Sequence, residues 1–358
     1  MNCENLTNSE ILEKIAAMDV GNVKLMEVCG THTMSIAKSG LRSALPENIK
    51  LLSGPGCPVC VTPSEEIDAI LKLSERDDVI IATYGDMIKV PGSIHGKNLA
   101  AARALGARVE VCYSPLDAIE LAKENSGDEV VFLGVGFETT APGTAAAILS
   151  AKEENVKNFS VFSMLKTVEP ALRALIAEED FSVSGFLCPG HVASIIGARG
   201  FSFLADEFSL PCVVGGFSPR EILVAVYKLL LQTEEKSPRL ENAYPDAVSN
   251  DGNRLALKII DDVFCRADAV WRGLGKIEKS ALGIKSELSD FDAKKKFGIE
   301  FEEAKEKTPC RCGDVICGHI APQACPMFGR ACVPENPVGP CMVSGEGACA
   351  AAYKYGEF

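Results

Sequence analysis

Three groups of residues in this chain have types and spacings suited to chemistry. The first is Glu27-Val28-Cys29-Gly30-Thr31-His32-Thr33. A thiol at a strand-to-helix turn feels the positive helix end, which favours the thiolate that binds metal or attacks. His32, three residues on, offers a second ligand, a proton or an orienting hydrogen bond. The bland alternative is a small buried cysteine beside a helix-capping threonine.

The second group is Gly54-Pro55-Gly56-Cys57-Pro58-Val59-Cys60-Val61-Thr62-Pro63-Ser64-Glu65. Its glycines and prolines fix a tight loop. Thr62, Pro63 and Glu65 read as an N-cap, a first-turn proline and a capping-box acid. Cys57 and Cys60 therefore stand just ahead of a helix N-terminus, which suits a redox dithiol. The pair is also half of a zinc site, but no second C-x-x-C or paired histidine follows at zinc-finger spacing.

The third group is the tail, where Cys310, Cys312, Cys317, Cys325, Cys332, Cys341 and Cys349 crowd together. Iron–sulfur clusters take four thiolates and leave the remaining cysteines as redox partners. Zinc competes, but the irregular spacing, with His319 as the local nitrogen ligand, fits a zinc ribbon poorly. Spacing alone does not choose four ligands from seven. Later loops add Glu138 in Gly136-Phe137-Glu138-Thr139-Thr140 and His191 in Pro189-Gly190-His191-Val192. A GxG at Gly134 and Gly136 lacks the third glycine of the dinucleotide fingerprint, and no P-loop occurs.

These residues need a frame, and the chain supplies an alternating one. Candidate strands run over 23–28, 49–53, 78–83, 107–113, 128–136, 159–165, 182–187 and 211–217. Helical patterns such as PSEEIDAILKLSE, PLDAIELAKEN and PREILVAVYKLLL lie between them. Strands alternating with helices predict parallel sheets covered on both faces. The expected class is α/β: two similar parallel-sheet domains facing a cleft, followed by a small cysteine-rich C-terminal iron–sulfur domain. The alternative, one barrel, is disfavoured by a polar break, KENSGDE, after which the pattern restarts. The divisions expected are an N-terminal helix over 1–22, α/β domains over 23–126 and 127–235, and a helical linker with cluster domain over 236–358. Within the last, RLALKIIDDVFCRA reads as one amphipathic helix, and the tail has too few apolar residues to hold itself without metal.

Composition narrows the function classes. A formal charge of −13 argues against a broad nucleic-acid or anionic-membrane surface. No run of about 18 uncharged apolar residues occurs, and the N-terminus lacks a basic-then-apolar leader, so a cytoplasmic location is expected. In a reducing compartment, fifteen cysteines point to metal or catalysis rather than a disulfide framework.

Taken together, EVCGTHT, GPGCPVCVTP, GFETTAP, PGHV and the cysteine tail resemble the hydrogenase-maturation family HypD, nearly end to end from Glu27 to Cys349. The resemblance implies two α/β domains with a cleft, a third domain carrying a [4Fe–4S] cluster, and a scaffold on which the Fe(CN)2CO unit of [NiFe]-hydrogenase is assembled. It implies HypC as the partner that binds iron with it, HypE as the donor of cyanide-forming groups, and the hydrogenase large-subunit precursor as recipient. Carried over residue by residue, it makes Cys29 the ligand of a transient iron carrying CN and CO, with His32 beside it, and Cys57 and Cys60 a redox dithiol. The family's C-x14-C-x6-C-x16-C pattern is matched by Cys310, Cys325, Cys332 and Cys349. Cys312 and Cys341 become a second redox pair, an arrangement similar to that in ferredoxin:thioredoxin reductase; Cys317 receives no role. The rival readings are an iron–sulfur-dependent thiol–disulfide oxidoreductase and a zinc-stabilised interaction protein.

Overall fold

The computed structural model describes residues 6–301 and 309–356. Among the described residues, eleven strands form two parallel sheets and a hairpin. The first sheet has the order β2-β1-β7-β8-β9, from Val23–Glu27 (β1), Ile49–Ser53 (β2), Gly185–Pro189 (β7), Cys212–Gly215 (β8) and Leu240–Asn242 (β9). The second has the order β4-β3-β5-β6, from Val79–Thr83 (β3), Arg108–Val111 (β4), Glu129–Gly136 (β5) and Phe159–Leu165 (β6). Phe264–Trp271 (β10) and Gly275–Ile284 (β11) pair antiparallel. The chain is thus α/β with two parallel sheets and a cysteine-rich C-terminal region, and not a barrel.

The strands are apolar on both sides, as in VIIAT and VVFL, because helices cover both faces. Asn8–Ala16 and Pro219–Glu234 bury the outer face of the first sheet, and Pro115–Glu124 and Ala141–Glu153 that of the second. Helix starts follow local rules: Ser114 with Asp117 and Ser218 with Glu221 form capping boxes, each with proline at the first turn. A further apolar cluster runs from Met26 and Val28 through Cys57–Val61 and the Ser64–Leu73 helix into the second sheet, and on to the tail.

Sheet membership does not follow the 126/127 division expected from the sequence. β3 and β4 pair with β5 and β6, and β1 and β2 pair with β7 and β8, so the first sheet is built from both ends of the α/β region. Parallel neighbours need only a crossover between them, whatever its length, so chain order does not reveal such an insertion. The helix read over RLALKIIDDVFCRA ends at Val263, and its last residues enter β10. The tail, expected to lack a core, buries Val315, Ile316, Val338 and Met342 in the central cluster. No helix of the described residues is long and apolar enough to cross a membrane.

Candidate metal and redox site

Cys29 lies two residues beyond the end of β1 and is the N-cap residue of the Gly30–Ser39 helix. Backbone N–H groups of Thr31 and His32 point at its sulfur, so the helix end does favour the thiolate. Burial outweighs them: desolvation, followed by the charges of Glu346 and Glu27, pushes the thiol up to about 12. The expected easy thiolate is therefore corrected; without a cation beside it, Cys29 stays protonated.

His32 is fully buried, and its Nε2 lies 2.9 Å from the carbonyl of Gly216. A carbonyl only accepts, so Nε2 carries the hydrogen and Nδ1 is left with a bare lone pair. That Nδ1 is buried without a hydrogen-bond partner among the described residues. Burial pushes His32 down to about 4, which keeps the ring neutral. Phe217 contacts both imidazoles, tilted against His32 at 4.8 Å and stacked on His191 at 3.8 Å.

The CPVC loop lies directly against this turn. Gly30 N–H donates to Gly56 O at 3.1 Å, and Gly54 N–H donates to Glu27 O at 2.8 Å. A Cβ on Gly56 would collide with the backbone of Val28 and Cys29, so glycine is required for the approach. Cys57 and Cys60 are joined as a disulfide, with Cα atoms 5.2 Å apart. Thr62 is not the expected cap. Its buried hydroxyl turns back to Pro58 O at 2.9 Å, and Pro63 takes the N-cap position of the Ser64–Leu73 helix. Glu27 supports the turn from below: its carboxylate accepts from Cys29 N–H at 3.1 Å and from the Thr33 hydroxyl. Burial raises it to about 7.

The tail brings its cysteines together. Cys341 Sγ lies 3.2 Å from Cys349 Sγ, and Cys312 is hydrogen-bonded to Cys341. Arg311 N–H points at Cys325 Sγ at 3.5 Å and Val338 N–H at Cys332 Sγ at 3.3 Å. A Cβ on Gly339 would stand 2.7 Å from Cys310 Sγ and 3.7 Å from Cys312 Sγ. Cys310 is driven well above an ordinary thiol by burial, then by the neighbouring Cys312, Cys325 and Cys332. Among the described residues, no three His, Cys, Asp or Glu side chains form a group suited to a single metal ion. Cys317 is a packing residue whose thiol donates to Gly273 O at 3.6 Å.

Glu138 stands elsewhere, beyond the carboxyl end of β5. Its Oε1 accepts from Val168 N–H at 3.0 Å, its Oε2 is buried without a hydrogen bond among the described residues, and burial raises it to about 7. A contact that sequence reasoning missed joins the tail to the first turn: Thr31 Oγ1 donates to Glu346 Oε1 at 2.8 Å. The position of Glu346 between Cys341 and Cys349 was the available signal.

Comparison with known proteins shows the family. The sequence model of the HypD family, described as "Hydrogenase formation hypA family", matches residues 7–356. This chain belongs to the HypD family. It is 42% identical over 353 residues to the hydrogenase maturation factor HypD of Rhodobacter capsulatus, covering 97% of this chain and 93% of that protein. Over 334 residues it is 43% identical to HypD of Escherichia coli K12, covering 93% and 89%. With HypD of Cupriavidus necator it shares 38% over 368 residues, 99% of this chain and 97% of the relative. In this chain the CGTH turn, the GPGCPVC loop and the tail meet within hydrogen-bonding distance.

Proposed function

We propose that this chain is a cytoplasmic hydrogenase-maturation scaffold on which the Fe(CN)2CO unit of [NiFe]-hydrogenase is assembled. In this reading HypC brings and shares the iron, HypE delivers the cyanide-forming groups, and the large-subunit precursor receives the product. The observation that carries it is the packing of the loop that holds the Cys57–Cys60 disulfide against the turn that carries the buried Cys29 thiol and the His32 imidazole.

Cys29 takes the iron as substrate. Its thiol holds its proton until a cation arrives, so binding iron releases that proton. His32 Nδ1 is the acceptor or the second donor, and a buried lone pair left unsatisfied costs about 1–3 kcal/mol, which iron or a proton would relieve. Thiolate is a soft donor suited to low-valent iron. Cys57 and Cys60 hold two electrons' worth of redox capacity beside it.

The tail fits a [4Fe–4S] cluster by its donor set: buried thiols raise one another's proton affinity, and backbone N–H groups already point at two of them. Cys310, Cys325, Cys332 and Cys349 would hold the cluster, which when bound supplies electrons one at a time. Cys312 and Cys341, hydrogen-bonded to each other, serve beside it as a second dithiol.

The test is anaerobic co-purification with HypC followed by infrared spectroscopy. Bands in the cyanide and carbonyl region support the scaffold. Turnover of a disulfide substrate without HypC, and no such bands with it, would make the chain a thiol–disulfide oxidoreductase instead.

A further inference from the structure

A cavity of 340 Å³ lies between the end of β6, the β10–β11 hairpin and the start of the Ser64–Leu73 helix. An isolated bridge between Lys166 and Ala281 holds β11 against the residue that follows β6. Glu66, Lys166 and Lys294, far apart in the chain, are thereby brought to one wall.

Lys166 is 1% exposed. The contacts of its ammonium among the described residues are the Trp271 ring, with the centroid 5.8 Å away, and Glu66 Oε2 at 3.5 Å. That is longer than the roughly 2.8 Å of a charge-assisted hydrogen bond. Glu66 Oε2 is itself buried without a hydrogen bond among the described residues. The other oxygen, Oε1, accepts from Lys294 Nζ at 3.1 Å, and that ammonium lies 4.8 Å from the centroid of Phe162.

One carboxylate thus serves two ammoniums. The cavity's other acids are spent elsewhere. Asp268 accepts from Lys279 N–H at 3.1 Å and pairs with Lys276 at 3.2 Å. Asp292 accepts from Lys294 N–H at 3.0 Å and pairs with Lys295 at 3.7 Å. Glu65 is only half-buried, where water screens it. An ammonium carries three donors, and a buried charge short of acceptors is costly. Burial disfavours the charge on Lys166, with Glu66 the main influence opposing it, so a second carboxylate would complete a neutral set of two cations and two anions.

We propose that this cavity binds a small aliphatic monocarboxylate, its carboxylate held by Lys166 and Lys294 and its apolar body lying against Leu165, Leu282 and Ile284. The volume stands at the lower end of ligand pockets, which run from about 300 to 1,000 Å³ and are mostly apolar with a few placed polar groups. Phosphate or sulfate would leave most of its oxygens against apolar walls without donors. The site shares no residue with the proposed iron and cluster sites.

Full-length anaerobic protein with its metal retained is titrated calorimetrically with 4-methylpentanoate, and with 4-methylpentanamide as its uncharged match. Wild type is expected to bind the acid saturably, with Kd on the order of 1 mM for a ligand of this size. The amide is expected to bind at least about tenfold more weakly. Lys166→Met and Lys294→Met keep much of the side chain and remove its charge, and each should weaken the acid at least about tenfold. Lys228→Met, which removes a cation paired with Glu241 beside the first sheet, should leave the affinity unchanged.

No saturable binding to wild type would overturn the inference. So would equal affinity for acid and amide, undiminished affinity in Lys166→Met and Lys294→Met, or an equal loss in Lys228→Met. Where Lys166→Met does not fold, Lys294→Met, which leaves Lys166 beside Glu66, carries the test with the acid and amide, and undiminished affinity there overturns it.

Discussion

Thr31 and Glu346, 315 positions apart in the chain, share a 2.8 Å hydrogen bond that fastens the CGTH turn to the loop between Cys341 and Cys349. A Cβ on Gly30 would collide with Glu346, so the two segments meet without a gap. The proposed iron site and the proposed cluster are therefore packed together, and damage to one should reach the other unequally.

That inequality is the first prediction. Cys349→Ala should lose the brown colour and also weaken iron loading at Cys29, because the helix Ala348–Tyr355 packs on the Gly30–Ser39 helix through this loop. Cys29→Ala removes a side chain from the wall and should leave iron and sulfide in the tail unchanged. Iron and sulfide analysis of both variants checks this; full Cys29 loading in a colourless Cys349→Ala protein would show the sites to be independent.

The tail assignment gives a second prediction. Cys312→Ala and Cys341→Ala should each keep about four irons per chain, the complement of one [4Fe–4S] cluster, while hydrogenase maturation stops. Cys310→Ala, Cys325→Ala and Cys332→Ala should lose the cluster. Electron paramagnetic resonance beside metal analysis separates the sets, and a Cys312→Ala protein without cluster beside a Cys310→Ala protein that retains it would reverse the choice.

A third concerns Cys57 and Cys60. Closing so short a loop removes little unfolded-chain entropy, so the disulfide contributes little stability by that route. Cys57→Ser and Cys60→Ser should each melt within a few degrees of wild type, a loss on the order of 1 kcal/mol, yet block maturation. Loss of several times that stability with maturation retained would make the pair structural.

The fourth is a pH effect at Glu138, whose carboxyl is raised from 4.5 to about 7 by burial. Between those values the folded chain holds a proton that the unfolded chain releases. Stability from the neutral carboxyl is complete below 4.5 and is lost as pH rises through 7. Glu138→Gln should flatten this loss, gaining on the order of 1–3 kcal/mol on wild type between pH 5 and 8. Thermal melts across that range decide it; parallel curves for the two proteins would mean that Glu138 is already ionised when folded.

Much of this was legible in the residues. All eight strands expected from the sequence exist, with ends moved by a few residues, because doubly covered strands are apolar runs punctuated by glycine and proline. What chain order concealed was which strands pair, since Leu25 finds Gly185 across an inserted sheet. The β10–β11 hairpin was missed because the helical pattern of RLALKIIDDVFCRA runs on into β10 and Lys279, at positive φ, interrupts the alternation of β11, although Gly273 and Gly275 marked the turn. At the site, spacing located the thiols but not their protonation. The helix-end argument for Cys29 was right about the N–H groups and lost to burial, a tertiary quantity that the local sequence does not carry. Glu346 was marked only by its place between Cys341 and Cys349, because its contact with Thr31 is likewise a tertiary quantity.

The central claim is that Cys29 holds the iron on which cyanide and carbon monoxide are assembled. Infrared spectra of the anaerobic HypC complex, compared for wild type and Cys29→Ala, test it most directly. The account predicts cyanide and carbonyl bands in wild type and none in Cys29→Ala, with the visible absorption of the tail cluster unchanged. Bands of undiminished intensity in Cys29→Ala would contradict it.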